Sequence, residues 1–143
     1  MKKIILLQIS ILIGCSIQAQ RFFYVASGNM AERPVKEGLL KASQFVTPTQ
    51  VMSDYTIDTE INFKRETHTA SLKIVLKDSA SFRTIYQTNE EYNFGVTRLN
   101  PQILLNMAMK TLIEENISQI IFRAKDDHFN NGTQLIEKKK DKI

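Results

Sequence analysis

The stretch "AKDDHFNNG", residues 124 to 132, sets Asp126, Asp127 and His128 side by side, and these are residue types that hold a divalent cation or activate a water molecule. Successive residues of a helix diverge by about 100°, so three neighbours do not converge on one ion, and the stretch reads as a helix end giving way to a turn. It lacks the spaced acids and closing Glu of a calcium loop. The other histidine, His68, falls in a predicted hairpin loop, where an exposed polar side chain is the expectation.

Glu90 and Glu91, and again Glu114 and Glu115, pair acids in sequence alone. Adjacent residues of a strand point to opposite faces, and on a helix they separate, so neither pair forms a general acid and base. No glycine-rich phosphate loop, no G-x-S-x-G elbow and no H-E-x-x-H helix occurs. These residues imply no catalytic or metal-ligating set and no cofactor, and an enzyme is not expected.

The lone cysteine, Cys15, belongs to the first segment of the chain. Lys2 and Lys3 precede an apolar run from Ile4 to Ile17, followed by Gln18 and Ala19, which is the layout of a secretory signal at residues 1 to 19. The run falls short of the roughly 20 apolar residues of a membrane span. Cleavage after Ala19 would start the mature chain at Gln20. Leu12-Ile13-Gly14-Cys15 also satisfies a lipidation pattern, in which Cys15 would carry the anchor. The tether from Ser16 to Gln20 would then extend at most about 17 Å, so the exit at Ala19 is favoured. Contact with a membrane is expected only if Cys15 is the anchor.

The chain is exported on this reading, to a periplasmic or outer-membrane-associated place or beyond. Thiol chemistry and disulfides are not expected of the mature domain. The formal charge of +4 falls to +2 without Lys2 and Lys3, and the tail from Glu137 to Ile143, with four lysines and two acids, accounts for that remainder. Residues 20 to 129 form a nearly neutral single domain, and residues 130 to 143 a polar, lysine-rich tail. A nucleic-acid partner is therefore not expected, because phosphate binding needs a concentrated basic face.

The elements follow from periodicity. "RFFYVA" at 21 to 26 is aromatic and β-branched and stops at Ser27-Gly28-Asn29, as a strand before a turn does. Pro34 suits a first helical turn, and Val35, Leu39, Ala42 and Val46 predict a short helix ending before Pro48. Tyr55 to Lys64 alternates, with Tyr55, Ile57, Ile61 and Phe63 on one face. Residues 70 to 77 repeat the pattern with Ala70, Leu72, Ile74 and Leu76 inward, leaving Val75 on the wet side.

If Arg65 to His68 connect the two strands, Phe63 faces Ala70, Ile61 faces Leu72, Ile57 faces Leu76 and Glu60 meets Lys73. A slip by one residue would set apolar against polar throughout. A third strand is expected from about Phe82 to Phe94, with a bulge or a fraying edge in its polar middle, "QTNEE". Asn100 and Pro101 open an amphipathic helix of about two dozen residues, with Leu105, Met109, Leu112, Ile113, Ile120 and Ile121 in one stripe.

The expected fold is α+β, a two-layer sandwich. Its three- to four-stranded, mostly antiparallel sheet carries two helices on one face, in the order β-α-β-β-β-α. The other face lies open to water.

At "DYTIDTEINF", "LKIVLKDSASFRTIYQTNEEY" and the closing helix, the chain resembles small periplasmic α+β accessory domains of Gram-negative envelope proteins and lipoproteins, such as those of the curli secretion channel and the activators of penicillin-binding proteins. The resemblance implies an adaptor or assembly part and carries over no functional residue. The expected function is thus an exported envelope binding or assembly module without catalysis, meeting an envelope protein or a small ligand through its sheet edge or open face. The alternatives are a ligand or lipid carrier with an apolar pocket between helix and sheet, or a metal-dependent hydrolase centred on Asp126, Asp127 and His128.

Overall fold

The computed structural model describes residues 21 to 140 apart from Ser27, with side chains described as far as Asn131. The alternating segments form a long hairpin, β3 (Tyr55–Lys64) and β4 (Thr69–Asp78). Its register is the expected one, with Ile57 opposite Leu76, Glu60 opposite Lys73, Ile61 opposite Leu72 and Phe63 opposite Ala70. His68 closes the turn with a φ of 48°, a left-handed conformation that short turns require of one residue.

Strand β5 (Thr84–Asn93) pairs antiparallel to β4 and forms one edge of the sheet. The irregularity expected in "QTNEE" lies at the start of the strand instead. Leu76 pairs with Tyr86 and Lys77 with Thr84, which leaves Ile85 as the extra residue. The cause is the loop before it: the Asp78 N–H donates to the Arg83 carbonyl, closing the loop one residue out of step with the ladder.

Strand β1 (Phe22–Val25) runs parallel to β3. The following helix, α1 (Glu32–Lys41), is shorter than its apolar spacing predicts. The chain leaves it through Ser43, at a φ of 58°, and Phe45–Val46 becomes a two-residue strand, β2, parallel to β1. Val46 therefore belongs to the sheet and packs on the core from there. The sheet has five strands in the order β2-β1-β3-β4-β5, one more than the upper expectation, within the α+β class foreseen.

Asn29 anchors the entry to α1. Its Oδ1 accepts the Ala31 N–H at 2.8 Å and the Thr59 hydroxyl at 3.1 Å, and its Nδ2 donates to the Thr59 carbonyl. Helix α2 (Pro101–Lys140) starts under the Asn100 side chain, which accepts the Gln102 N–H at 2.8 Å. It is much longer than two dozen residues and passes through His128 and Gly132 without a break. A glycine costs a helix interior about 1 kcal/mol, which this helix absorbs.

Both helices cover the same face of the sheet. Phe23, Val25, Ile57, Leu72, Ile74 and Leu76 meet Val35 and Leu39 of α1 and Met109, Leu112, Ile113, Ile120 and Ala124 of α2 in one closed core. Among the described residues no helix covers the opposite face.

Candidate interaction surface

Strand β5 places its side chains in two sets. Tyr86, Thr88, Glu90 and Tyr92 stand opposite the inward residues Leu76, Ile74, Leu72 and Ala70 and are half-buried. Gln87, Asn89, Glu91 and Asn93 share the uncovered face and are exposed. No strand of the described residues pairs with the outer side of β5, so its backbone donors and acceptors on that side face solvent. Glu90 and Glu91 thus lie on opposite faces, and Glu114 and Glu115 are both solvated on α2.

The uncovered face is polar and mixed in sign. Lys77 pairs with Asp58 across the hairpin, and Glu60 lies opposite Lys73, accepting a hydrogen bond from Asn62 at 3.2 Å. Asp58, Glu60, Lys73 and Val75 line a shallow depression of about 160 Å³. At its lower end the hydroxyls of Ser53, Ser79 and Thr56 form a chain with separations of 2.7 and 2.9 Å, tying the loop before β3 to the loop after β4. Opposite charges so closely paired at a surface contribute little net attraction for a charged partner.

The Asp126, Asp127 and His128 positions are not brought together as a site. Asp127 accepts a 2.6 Å ion pair from Arg83 on one oxygen and a hydrogen bond from Asn131 on the other, while Asp126 and His128 are exposed. The pair holds the Arg83 guanidinium above its usual pKa. A cleft of about 240 Å³ beside them also touches Asp54, Tyr55 and Asp78. Each of these acids serves the backbone. Asp54 accepts the Phe22 N–H, and Asp78 Oδ1 accepts the N–H groups of Ala80 and Ser81 and the Ser81 hydroxyl. Burial raises the Asp78 pKa, but the Ser81 and Ala80 donors and nearby Arg83 outweigh it, so the carboxyl lies below its ordinary value.

Among the described residues no group of three or more His, Cys, Asp or Glu is arranged to hold a metal ion. Tyr55 donates its hydroxyl to the Ala124 carbonyl at 3.0 Å, and burial, reinforced by Asp127, pushes its pKa up to about 12. His68 acts as a staple: its Nδ1–H donates to the Gly95 carbonyl at 2.9 Å, joining the hairpin turn to the exit of β5. Sequence reasoning missed the Arg83–Asp127 and Tyr55–Ala124 contacts, which join residues 44 and 69 positions apart.

A groove of about 240 Å³ lies between α1 and α2, with Gly38 and Ile113 at its floor and Glu37, Lys41, Lys110 and Glu114 around it. Among the described residues no helix is long and apolar enough to cross a membrane. Cys15, Ala19 and Gln20 lie outside the described residues.

The architecture is that of a small two-layer α+β domain with one naked sheet face. No family model and no curated protein matches the sequence. Solved structures do share its fold. The protein XCC0632 from Xanthomonas campestris, of the family model DUF330, superposes with a TM-score of 0.59 at 12% identity, over 78% of this chain and 90% of that one. A PelC dodecamer from Paraburkholderia phytofirmans superposes at 0.52 and 13% identity, over 71% and 86%. The lipoprotein GNA1162 from Neisseria meningitidis overlays at 0.45 and 14% identity, over 66% and 95%. The α+β architecture expected from the strands and the closing helix is shared with these solved structures at the level of fold.

Proposed function

We propose that this chain is an exported, non-catalytic module of the cell envelope that binds another envelope component along the β5 edge and the adjoining open face. The observation that carries the reading is the ten-residue strand β5, which among the described residues is unpaired on its outer side and continuous with a polar face that no helix covers. An extended segment of a partner adds to such an edge through main-chain hydrogen bonds, and the side chains of the open face select it.

The signal-like segment at residues 1 to 19 supports export. The acids also support a binding role, since they hold backbone groups or partner cations and do not converge on a substrate site. PelC, on the same fold, is a dodecamer, which supports a role in assembly.

Photo-crosslinking in intact cells tests the reading. A photoreactive residue at Asn89 on β5, or at Asn62 on the open face, is expected to capture a discrete envelope partner. The same residue at Glu115, on the solvated side of α2, is expected to capture none. Equal background at all three positions would end the proposal.

A further inference from the structure

Strand β5 is an edge without the usual obstructions to pairing. Between Thr84 and Asn93 it holds no lysine, arginine or proline, and its irregularity at Ile85 leaves Tyr86 to Asn93 in an unbroken ladder with β4. The Phe94 N–H donates to the His68 carbonyl on the β4 side at 3.0 Å. Gln87, Asn89, Glu91 and Asn93, at the alternate positions, therefore direct their N–H and C=O groups outward. Among the described residues no strand pairs with them.

The side chains of this strand are complementary to themselves. About a two-fold axis at Asn89, an antiparallel second copy sets Gln87 opposite Glu91, Thr88 opposite Glu90 and Tyr86 opposite Tyr92, each pair sharing one face. Both carboxylates then meet a donor of the other copy, an amide for Glu91 and a hydroxyl for Glu90, and the Asn89 amide meets its own counterpart. Thr88 already donates to Glu90 of its own strand at 3.4 Å. The Arg123 guanidinium stands over the Tyr86 ring at 5.6 Å, and Tyr92 packs on Phe94 at 4.8 Å, so each tyrosine pair between copies continues an aromatic row.

Other two-fold registers lose this match. An axis at Glu90 or Glu91 sets a carboxylate against itself, and one at Thr88 or Gln87 brings the bulged Ile85 opposite Glu91 or Asn89. The opposite edge of the sheet, β2, is two residues long and offers β5 too short a ladder.

We propose that the occupant of the β5 edge is a second copy of this chain, paired antiparallel about Asn89 so that two sheets become one, with both helix layers on the same side. The proposal rests on the reading of this edge as the binding surface and names its partner. The ladder from Tyr86 to Tyr92 holds about six main-chain hydrogen bonds, two at each of the pairs Gln87–Glu91, Asn89–Asn89 and Glu91–Gln87. One strand from each copy is a small interface, so the pairing is reversible and controlled by concentration.

The test uses the chain as the cell matures it. Sedimentation equilibrium is expected to show a mass that rises from one copy to two with concentration. Asn89→Lys sets two like charges on the axis at an exposed position, and should weaken association about tenfold or more while the circular dichroism spectrum stays unchanged. Cysteine scanning reads the register. Across the axis the two Cα atoms of position 89 stand about 5.5 Å apart, within disulfide reach, so Asn89→Cys should link two copies on mild oxidation. Gln87→Cys alone should not, its counterpart lying about 14 Å along the ladder, whereas Gln87→Cys/Glu91→Cys should. The chain without a new cysteine accounts for any link through Cys15. A monomer at every concentration, a dimer that Asn89→Lys leaves intact, or equal linking at 87 and 89 would overturn the proposal. If a photoreactive residue at Asn89 then still captures an envelope protein of another mass, the edge is a binding surface with a different occupant. If it captures nothing, the reading of the edge falls as well.

Discussion

Gly38 of α1 faces Ile117 of α2 so closely that a Cβ at position 38 would stand 2.9 Å from Ile117 Cγ1 and 3.1 Å from its Cδ1. The absence of a side chain at one position sets how near the two helices lie over the sheet. Ile117 is itself buried and β-branched, so it has few rotamers into which to retreat.

Gly38→Ala should therefore destabilise the fold, although alanine is the better helix former by about 1 kcal/mol. Overpacking costs about 1 to 3 kcal/mol, which leaves a net loss of up to about 2 kcal/mol. In an Ile117→Ala background the obstruction is gone, and Gly38→Ala should become neutral or stabilising. Urea unfolding of the four proteins of this cycle measures the coupling.

The parts of the fold legible in the sequence are those whose signal is periodic. Ile57, Ile61 and Phe63 alternate with polar residues, and so, Val75 excepted, do Leu72, Ile74 and Leu76, so register and buried face follow from the letters. Strand β2 is two residues long and has no period to detect. Val46 also fits the spacing of the helix before it, and no glycine marks the turn at Ser43. The stretch from Ala124 to Gly132 reads as a helix end, yet α2 runs through it although Asn130, Asn131 and Gly132 are weak helix formers. The candidate surface was legible as an uncovered face and an edge. The Arg83–Asp127 and Tyr55–Ala124 contacts were not, because they join positions 44 and 69 residues apart that only the folded chain brings together.

Asp78 should make the loop from Ser79 to Arg83 sensitive to acid. Its folded pKa is depressed below the ordinary 3.8 of an aspartate, so its stabilisation is present above that value and is lost as pH falls through the lower folded one. Asp78→Asn should remove this acid-side loss and weaken the fold at neutral pH by about 1 to 2 kcal/mol, the scale of losing charge-assisted hydrogen bonds. The difference in unfolding free energy between wild type and variant, followed from neutral pH to below pH 3, reads both effects.

Tyr55 should act at the opposite extreme. Its pKa rises from 10 to about 12 in the fold, chiefly through burial. The unfolded chain ionises first, so the contribution of Tyr55 is complete below pH 10 and disappears as pH climbs through 12. The total is up to roughly 3 kcal/mol, at about 1.4 kcal/mol for each unit between the two values. Tyr55→Phe should lack this slope and should also lose the hydrogen bond to Ala124. Lysine ionisation is common to both proteins and cancels in their difference.

Replacement of Asp126, Asp127 and His128 together by alanine decides between a site and a strut. Asp127 is engaged by Arg83 and Asn131, and its two neighbours are exposed on diverging positions of α2. The triple variant should keep the metal content of the unsubstituted protein, measured by elemental analysis after purification from the cell. It should lose stability by about 1 kcal/mol or less, as expected for a partly exposed ion pair. Arg83→Ala should cost the same and add nothing in the triple background, and the coupling should shrink in high salt. A fall in bound metal, or a coupling that salt leaves untouched, would return these three residues to the role their sequence first invited.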